Sequence, residues 1–165
     1  SSDLSALESH EIPTCLSLSR QKLPFFERDA AQVAAVSRGG YVLRDCQGTP
    51  EIILLATGSE VALAVEAAEQ LNADGRRARV VSMPCAEIFD AQDAAWKESV
   101  LPSAVRCRLA VEAASPDYWY KYVGLDGDVL GMHSFGASAP GSVMFERFGF
   151  TTANVLEKAR ALLRK

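Results

Sequence analysis

Hydrophobic residues in the middle of the chain alternate between continuous runs and helical stripes. The run 52–56 contains only apolar side chains, which is typical of a strand buried on both faces of a sheet. A stripe at helical spacing follows it and ends before Gly75, and it consists of Val61, Ala64, Val65, Ala68 and Leu71. This succession of strand and helix predicts a parallel sheet that is covered by helices on both faces.

Patterns of the same two kinds occupy most of the remaining chain. Further strands are predicted at 41–44, 79–83, 108–112 and 128–132, with a short one at 13–19. Further helices are predicted at 29–38, 91–100, 117–123 and 152–163, with another that begins at 138–140. Residues 20–28 contain a proline and no clear period, so we interpret them as a linker.

The turn after the buried run is the first candidate site. Thr57 and Glu60 have the spacing of a capping box, in which each side chain accepts from the other residue's backbone amide. A helix start after a parallel strand also offers free amides to an anion. The turn Thr57-Gly58-Ser59 is therefore kept as an alternative site for a nucleotide or another regulatory anion.

Composition limits the classes of protein that fit. The 165 residues are 48% hydrophobic and 23% charged, as in one ordinary globular domain. The net charge of -4 creates no positive field that would attract nucleic acid or an anionic membrane. No uncharged apolar run approaches the ~20 residues of a membrane span, and the start lacks a signal-peptide pattern, so we expect a cytoplasmic protein. The chain has four cysteines, Cys15, Cys46, Cys85 and Cys107. They form no CxxC pair, so we expect no zinc site, and we expect all four to be reduced thiols.

Other chemically interesting residues lie at strand ends or in one aromatic cluster. Glu112 and His133 follow predicted strands, where α/β proteins often place functional groups, but each also fits a structural role. Four aromatic residues fall within positions 118–122, more than one helix face can bury, so one or two should remain near the surface.

Short motifs in a fixed order make the chain resemble the transketolases of the bacterial type. They run from about residue 12 to the C-terminus and include LSRQ at 18–21, RGGYVL at 38–43, ATGSEV at 56–61, VVSMP at 80–84, ESVLP at 98–102, VEA at 111–113, WYKYVG at 119–124, FGASAP at 135–140 and FGFT at 148–151. A transketolase is about four times as long, so the resemblance implies a fragment. It implies that 29–165 is the C-terminal domain, and that 1–28 is the remnant of the end of the pyrimidine-binding domain plus a linker.

The resemblance also implies a fold and an activity. The fold would be a three-layer α/β/α sandwich on a mixed, mostly parallel sheet of about five strands, with one antiparallel edge strand. The full-length enzyme would be a homodimer of the pentose phosphate pathway that uses thiamine diphosphate and a divalent cation, Mg or Ca. It would transfer a two-carbon ketol unit from a ketose phosphate to an aldose phosphate. A related enzyme such as dihydroxyacetone synthase is an alternative with a similar C-terminal domain.

Only one functional residue carries over from the family to this chain. The arginine of the Ser-Arg-Gln motif binds the substrate phosphate, which assigns that role to Arg20; a guanidinium can pair two phosphate oxygens at once. Lys22 stands where relatives commonly have asparagine.

Catalytic, cofactor-binding and metal-binding residues are expected in other domains. Gly127-Asp128 and Asn154 have the interval of a thiamine diphosphate motif, but Val129 replaces its second glycine, so no metal site is assigned. The fragment alone is therefore expected to be structural and inactive.

Overall fold

A five-stranded mixed sheet forms the centre of the protein. The computed structural model describes residues 13–19 and 21–164. The strand order is β1-β3-β2-β4-β5; β1 is antiparallel to β3, and all other neighbours are parallel. The strands are β1 (Tyr41–Arg44), β2 (Ile52–Ala56), β3 (Ala78–Ser82), β4 (Arg108–Val111) and β5 (Asp128–Leu130). The predicted mostly parallel sheet with one antiparallel edge strand is confirmed.

Seven helices flank this sheet in the described part of the chain. They are α1 (Ala30–Ala35), α2 (Val61–Ala73), α3 (Ala86–Asp90), α4 (Ala94–Val100), α5 (Tyr120–Val123), α6 (Gly141–Arg147) and α7 (Thr152–Leu162). Short 3-10 turns lie at Val36–Arg38, Gly58–Glu60 and Pro116–Trp119. Among these described residues, no helix combines the length and the apolar character that a membrane span requires.

Strand β2 lies in the middle of the sheet and separates two hydrophobic cores. Its five residues are all fully buried. Ile52 and Leu54 face a core with residues of α2 and α7, whereas Ile53 and Leu55 face a core with residues of α3, α4 and α5. Alternate side chains of a strand point to opposite faces, so an all-apolar strand must be covered on both. This arrangement is the predicted three-layer sandwich.

Two predicted elements differ from the structure. The helix expected at 91–100 is α4, which begins only at Ala94 because the Asp93 side chain caps it by accepting a hydrogen bond from Trp96 N at 2.7 Å, and the separate helix α3 before it was not predicted. The strand expected at 13–19 is wrong: these residues have no regular structure. A strand is held by backbone hydrogen bonds to a neighbour, and no strand of the described sheet pairs with this segment.

Candidate functional site

A cleft of about 560 Å³ opens at the edge of the sheet where the parallel strands end. Residues that follow β2, β3 and β4 form its floor, and an open α/β sheet usually places its functional site at this edge. The cleft is lined by Thr14, Cys15, Leu16, Ser17, Leu18, Ser19, Val36, Ser37, Thr57, Gly58, Ser59, Glu60, Pro84, Cys85, Ile88, Glu112 and Ala113.

The turn after β2 does not form the predicted capping box. The Thr57 side chain makes no capping hydrogen bond, and Gly58 has a φ of 55°, so the chain first makes a 3-10 turn and then enters α2. The buried Glu60 carboxylate accepts hydrogen bonds from the backbone nitrogen of Ala113 at 3.1 Å and from Ser59 Oγ at 3.0 Å. The capping prediction was wrong because Glu60 binds the end of β4 and not the start of its own helix.

Glu112 is held in place by a different neighbour. Its Oε2 accepts a hydrogen bond from Trp119 Nε1, and its backbone nitrogen donates to Leu130 O at 3.1 Å. Trp119 is buried in the second core, so this carboxylate has a fixed position at the floor of the cleft. Glu112 is the ordered carboxylate expected at a strand end. Glu60 belongs to the same site, and no local pattern indicates this because its partner is 53 residues away.

The cleft is acidic. Among its described lining residues, Glu60 and Glu112 are the only charged ones. Burial raises the pKa of the Glu60 carboxyl above its ordinary value of 4.5, and the negative charge of Glu112 raises this pKa further. Hydrogen bonds from Ser59 and from backbone amides lower it, but they do not cancel the effect of burial. Two carboxylates disfavour a bound phosphate, so the electrostatics do not favour the Thr57-Gly58-Ser59 turn as a nucleotide site.

The predicted phosphate ligand, Arg20, lies outside the described residues. Its neighbours are described on both sides: Ser19 lines the cleft, and the Gln21 side chain lies against Gly141 at the start of α6. The assignment of Arg20 therefore stays a prediction.

The residues that imitate a thiamine diphosphate motif have other partners. Asp128 Oδ2 pairs with Lys158 Nζ at 2.8 Å, and Asn154 Nδ2 donates to Gly149 O at 2.9 Å. The Thr151 side chain caps α7 by accepting from Asn154 N, so Asn154 belongs to a helix start. Within 13–19 and 21–164, no group of three or more His, Cys, Asp or Glu side chains could hold a metal ion. These residues do not fit a cofactor or its metal.

The aromatic cluster divides as the sequence predicts. Trp119 and Tyr122 are buried, whereas Tyr118 and Tyr120 are exposed. Lys121 Nζ pairs with Asp90 Oδ2 at 2.6 Å and lies over the Tyr118 ring, and these contacts raise the pKa of Lys121. The cluster thus joins α5 to α3. His133 is exposed in the loop after β5 and does not line the cleft.

The comparisons with known proteins agree on one family. Residues 39–151 match the family model described as "Transketolase-like TK C-terminal domain". Transketolase 1 of Escherichia coli is 59% identical over 157 residues, which are 95% of this chain and 24% of that protein. Transketolase 2 of Aliivibrio fischeri is 56% identical over 158 residues, 96% of this chain and 24% of that protein. The chain therefore spans about a quarter of the length of these curated relatives.

Solved structures show the same similarity. A transketolase from Pichia stipitis, solved as a complex with sedoheptulose 7-phosphate, superimposes with a TM-score of 0.88 at 40% identity, over 99% of this chain and 23% of that chain. A transketolase from Campylobacter jejuni superimposes with a TM-score of 0.67 at 38% identity, over 79% of this chain and 19% of that chain. The fold is therefore that of one part of a longer protein.

Proposed function

The chain belongs to the transketolase family through its C-terminal domain, and we propose that it serves as that domain in a full-length ketol transferase. The observation that carries this proposal is 59% identity over 95% of the chain to a protein named transketolase. In the full-length enzyme a two-carbon ketol unit moves from a ketose phosphate to an aldose phosphate, as in the pentose phosphate pathway. The relatives' names favour this over a dihydroxyacetone synthase, and the acidic cleft disfavours a nucleotide-binding module.

The proposed boundaries follow the sequence. Residues 29–165 form the domain, and 1–28 are the end of the pyrimidine-binding domain with its linker. Asp29 supports the boundary, because its side chain accepts from Gln32 N at 2.8 Å and caps the first helix. The chain itself contributes no catalytic residue in this proposal.

Thiamine diphosphate with Mg or Ca supplies the electron sink of the reaction when it is bound to the full-length enzyme. The described residues of this chain do not fit that group, since Asp128 and Asn154 have other partners. We therefore place the cofactor and its cation in other domains of a cytoplasmic homodimer.

Arg20 is the proposed contribution of this chain to substrate binding. It lies in the Leu18-Ser19-Arg20-Gln21 motif, and a guanidinium binds phosphate through two parallel, charge-assisted hydrogen bonds.

A chimera tests the proposal. In Escherichia coli transketolase 1 this chain would replace the region that it matches, and ketol transfer from sedoheptulose 7-phosphate to an aldose phosphate would be measured. We expect the chimera to be active and the 165-residue chain to be inactive and to bind no thiamine diphosphate in calorimetry. Stoichiometric cofactor binding by the chain, or a folded but inactive chimera, would contradict the proposal.

A further inference from the structure

A second, smaller cavity shares the turn after β2 with the acidic cleft. Its volume is about 230 Å³, and it lies between the linker residues 23–28, the start of α2 and the end of β3. We propose that this cavity binds a small carboxylate with an apolar body, which then bridges the linker and the domain. The inference goes beyond ketol transfer and is tested on the 165-residue chain itself, so its failure leaves the proposed function untouched.

The walls of this cavity are mostly apolar. They are contributed by the linker, by α2 and by the residue pair after β3: Leu23, Pro24, Phe26, Val61, Ala62 and Pro84. Ligand sites in proteins combine such walls with a few polar groups that fix the orientation of the ligand. Sites for drug-sized molecules and cofactors measure roughly 300–1,000 Å³, so this cavity has room only for a smaller molecule.

Ser82 supplies an unused hydrogen-bonding group. It is the last residue of β3 and is 7% exposed. Side chains of a strand point alternately to the two faces of the sheet, and Val80 belongs to the core on the α2 side, so Ser82 points to that side as well, toward the cavity that it lines. Its hydroxyl forms no hydrogen bond with a described residue, whereas every fully enclosed polar side-chain atom in 13–19 and 21–164 has a partner. The hydroxyl is therefore open to the cavity and available to a ligand.

Arg28 gives the cavity a positive charge. It is half-buried, and it is the only charged residue among the described ones that line this cavity. Its Nε donates to the Tyr41 hydroxyl at 2.7 Å and its Nη1 donates to Phe26 O at 2.8 Å, which fixes the guanidinium between the linker and β1. Its Nη2 has no hydrogen bond to a described residue, so the guanidinium keeps donors for an anion.

The combination of these groups favours a carboxylate over a phosphate. The backbone amides of Gly58 and Ser59 open the helical segment before α2, so they have no acceptor within it. Glu60, which makes the neighbouring cleft acidic, binds Ala113 N and does not line this cavity. A single cation, a hydroxyl and apolar walls suit a singly charged carboxylate whose carbon body fills the cavity. A phosphate dianion would bring a second charge and no apolar surface.

An NMR titration of the isotope-labelled 165-residue chain tests this site, with isobutyrate as the probe and isobutyramide as its uncharged analogue. We expect saturable shifts of the Gly58 and Ser59 amides, with a Kd of about 1–10 mM because the ligand has so few atoms. Isobutyramide should bind at least about tenfold more weakly, since it offers no charge to Arg28. The absence of a saturable shift with isobutyrate, or tighter binding of inorganic phosphate than of isobutyrate, would overturn the inference.

Two pairs of variants assign the binding to these side chains. Ser82→Ala should raise the Kd for isobutyrate about threefold to tenfold, and Arg28→Gln should raise it at least about tenfold. The matched controls are Ser37→Ala and Arg44→Gln: Arg44 also holds the linker, by donating to Glu27 O, and neither control residue lines the cavity. Both controls should bind isobutyrate as the wild type does. An unchanged Kd in Ser82→Ala, or equal losses in Arg28→Gln and Arg44→Gln, would contradict a site in this cavity.

Discussion

Glu60 Oε1 lies 3.1 Å from the backbone nitrogen of Ala113, and this hydrogen bond joins the turn after β2 to the end of β4. Both residues line the cleft, so the bond fixes the distance between two parts of its floor. The carboxylate is buried, and it therefore gives the floor both rigidity and a titratable charge.

The first prediction concerns the pH dependence of stability. The folded-state pKa of Glu60 is raised above 4.5 by burial, so the folded protein binds this proton more tightly than the unfolded chain does. The stabilisation from this group is complete below pH 4.5 and is lost as the pH rises through the folded-state pKa. Glu60→Gln should remove this dependence and be at least as stable as the wild type at alkaline pH, as measured by thermal unfolding across the pH range.

Glu60→Ala serves as the contrasting variant. It leaves the amide of Ala113 without its acceptor, which should lower the free energy of unfolding by about 1–3 kcal/mol at any pH. If Glu60→Gln and Glu60→Ala had the same stability, the hydrogen bond to Ala113 would not contribute.

The second prediction concerns the close approach of the chain at Gly39. Its φ is +81°, and a Cβ there would lie 2.3 Å from Cys85 O and 2.5 Å from Phe89 N, both backbone atoms. Gly39→Ala should therefore lower the free energy of unfolding by roughly 2–4 kcal/mol in urea titrations, from strain and overpacking together. Gly48 is the control, because its φ is +77° and a Cβ there would meet nothing within 4 Å. Gly48→Ala should lower the free energy of unfolding by only about 1 kcal/mol.

The elements that sequence patterns predicted well are those governed by neighbours along the chain. Strand β2 is an uninterrupted apolar run, and helix α2 follows a regular stripe, so both were predictable. The bond from Ala113 to Glu60 was not, since it joins residues 53 positions apart and no local pattern encodes it. The strand expected at 13–19 failed for a related reason: alternation gives a segment one apolar face, but only a neighbouring strand holds it in a sheet.

The third prediction concerns Arg108, a half-buried cation at the start of β4. Its guanidinium donates to the carbonyl oxygens of Val105, Tyr122, Leu101 and Pro102, at 2.7–3.1 Å. Burial lowers its pKa, and the surrounding carbonyl groups replace the lost water. In Arg108→Lys the ammonium group cannot reach all four carbonyl oxygens, so this substitution should lower the free energy of unfolding by about 2–3 kcal/mol.

Arg106 provides the matched comparison for that variant. It is two residues away, its side chain is 73% exposed, and it pairs with Asp126. Arg106→Lys should change stability by less than about 0.5 kcal/mol in the same urea titration. Equal losses for the two variants would mean that the carbonyl contacts of Arg108 do not stabilise the fold.

The last prediction concerns Arg20 in the active chimera, where Arg20→Ala should selectively weaken the binding of phosphorylated sugars. A charged bidentate contact is worth about 1.5–3 kcal/mol, so kcat/KM should fall on the order of 10 to 150-fold for a sugar phosphate. Hydroxypyruvate has no phosphate and should react as before, because the arginine binds the end of the sugar that is remote from the reacting carbon. Lys22→Ala, which removes an exposed cation from the same segment, should affect neither substrate. An equal loss for hydroxypyruvate and the sugar phosphate would assign Arg20 to the structure of the linker and not to phosphate binding.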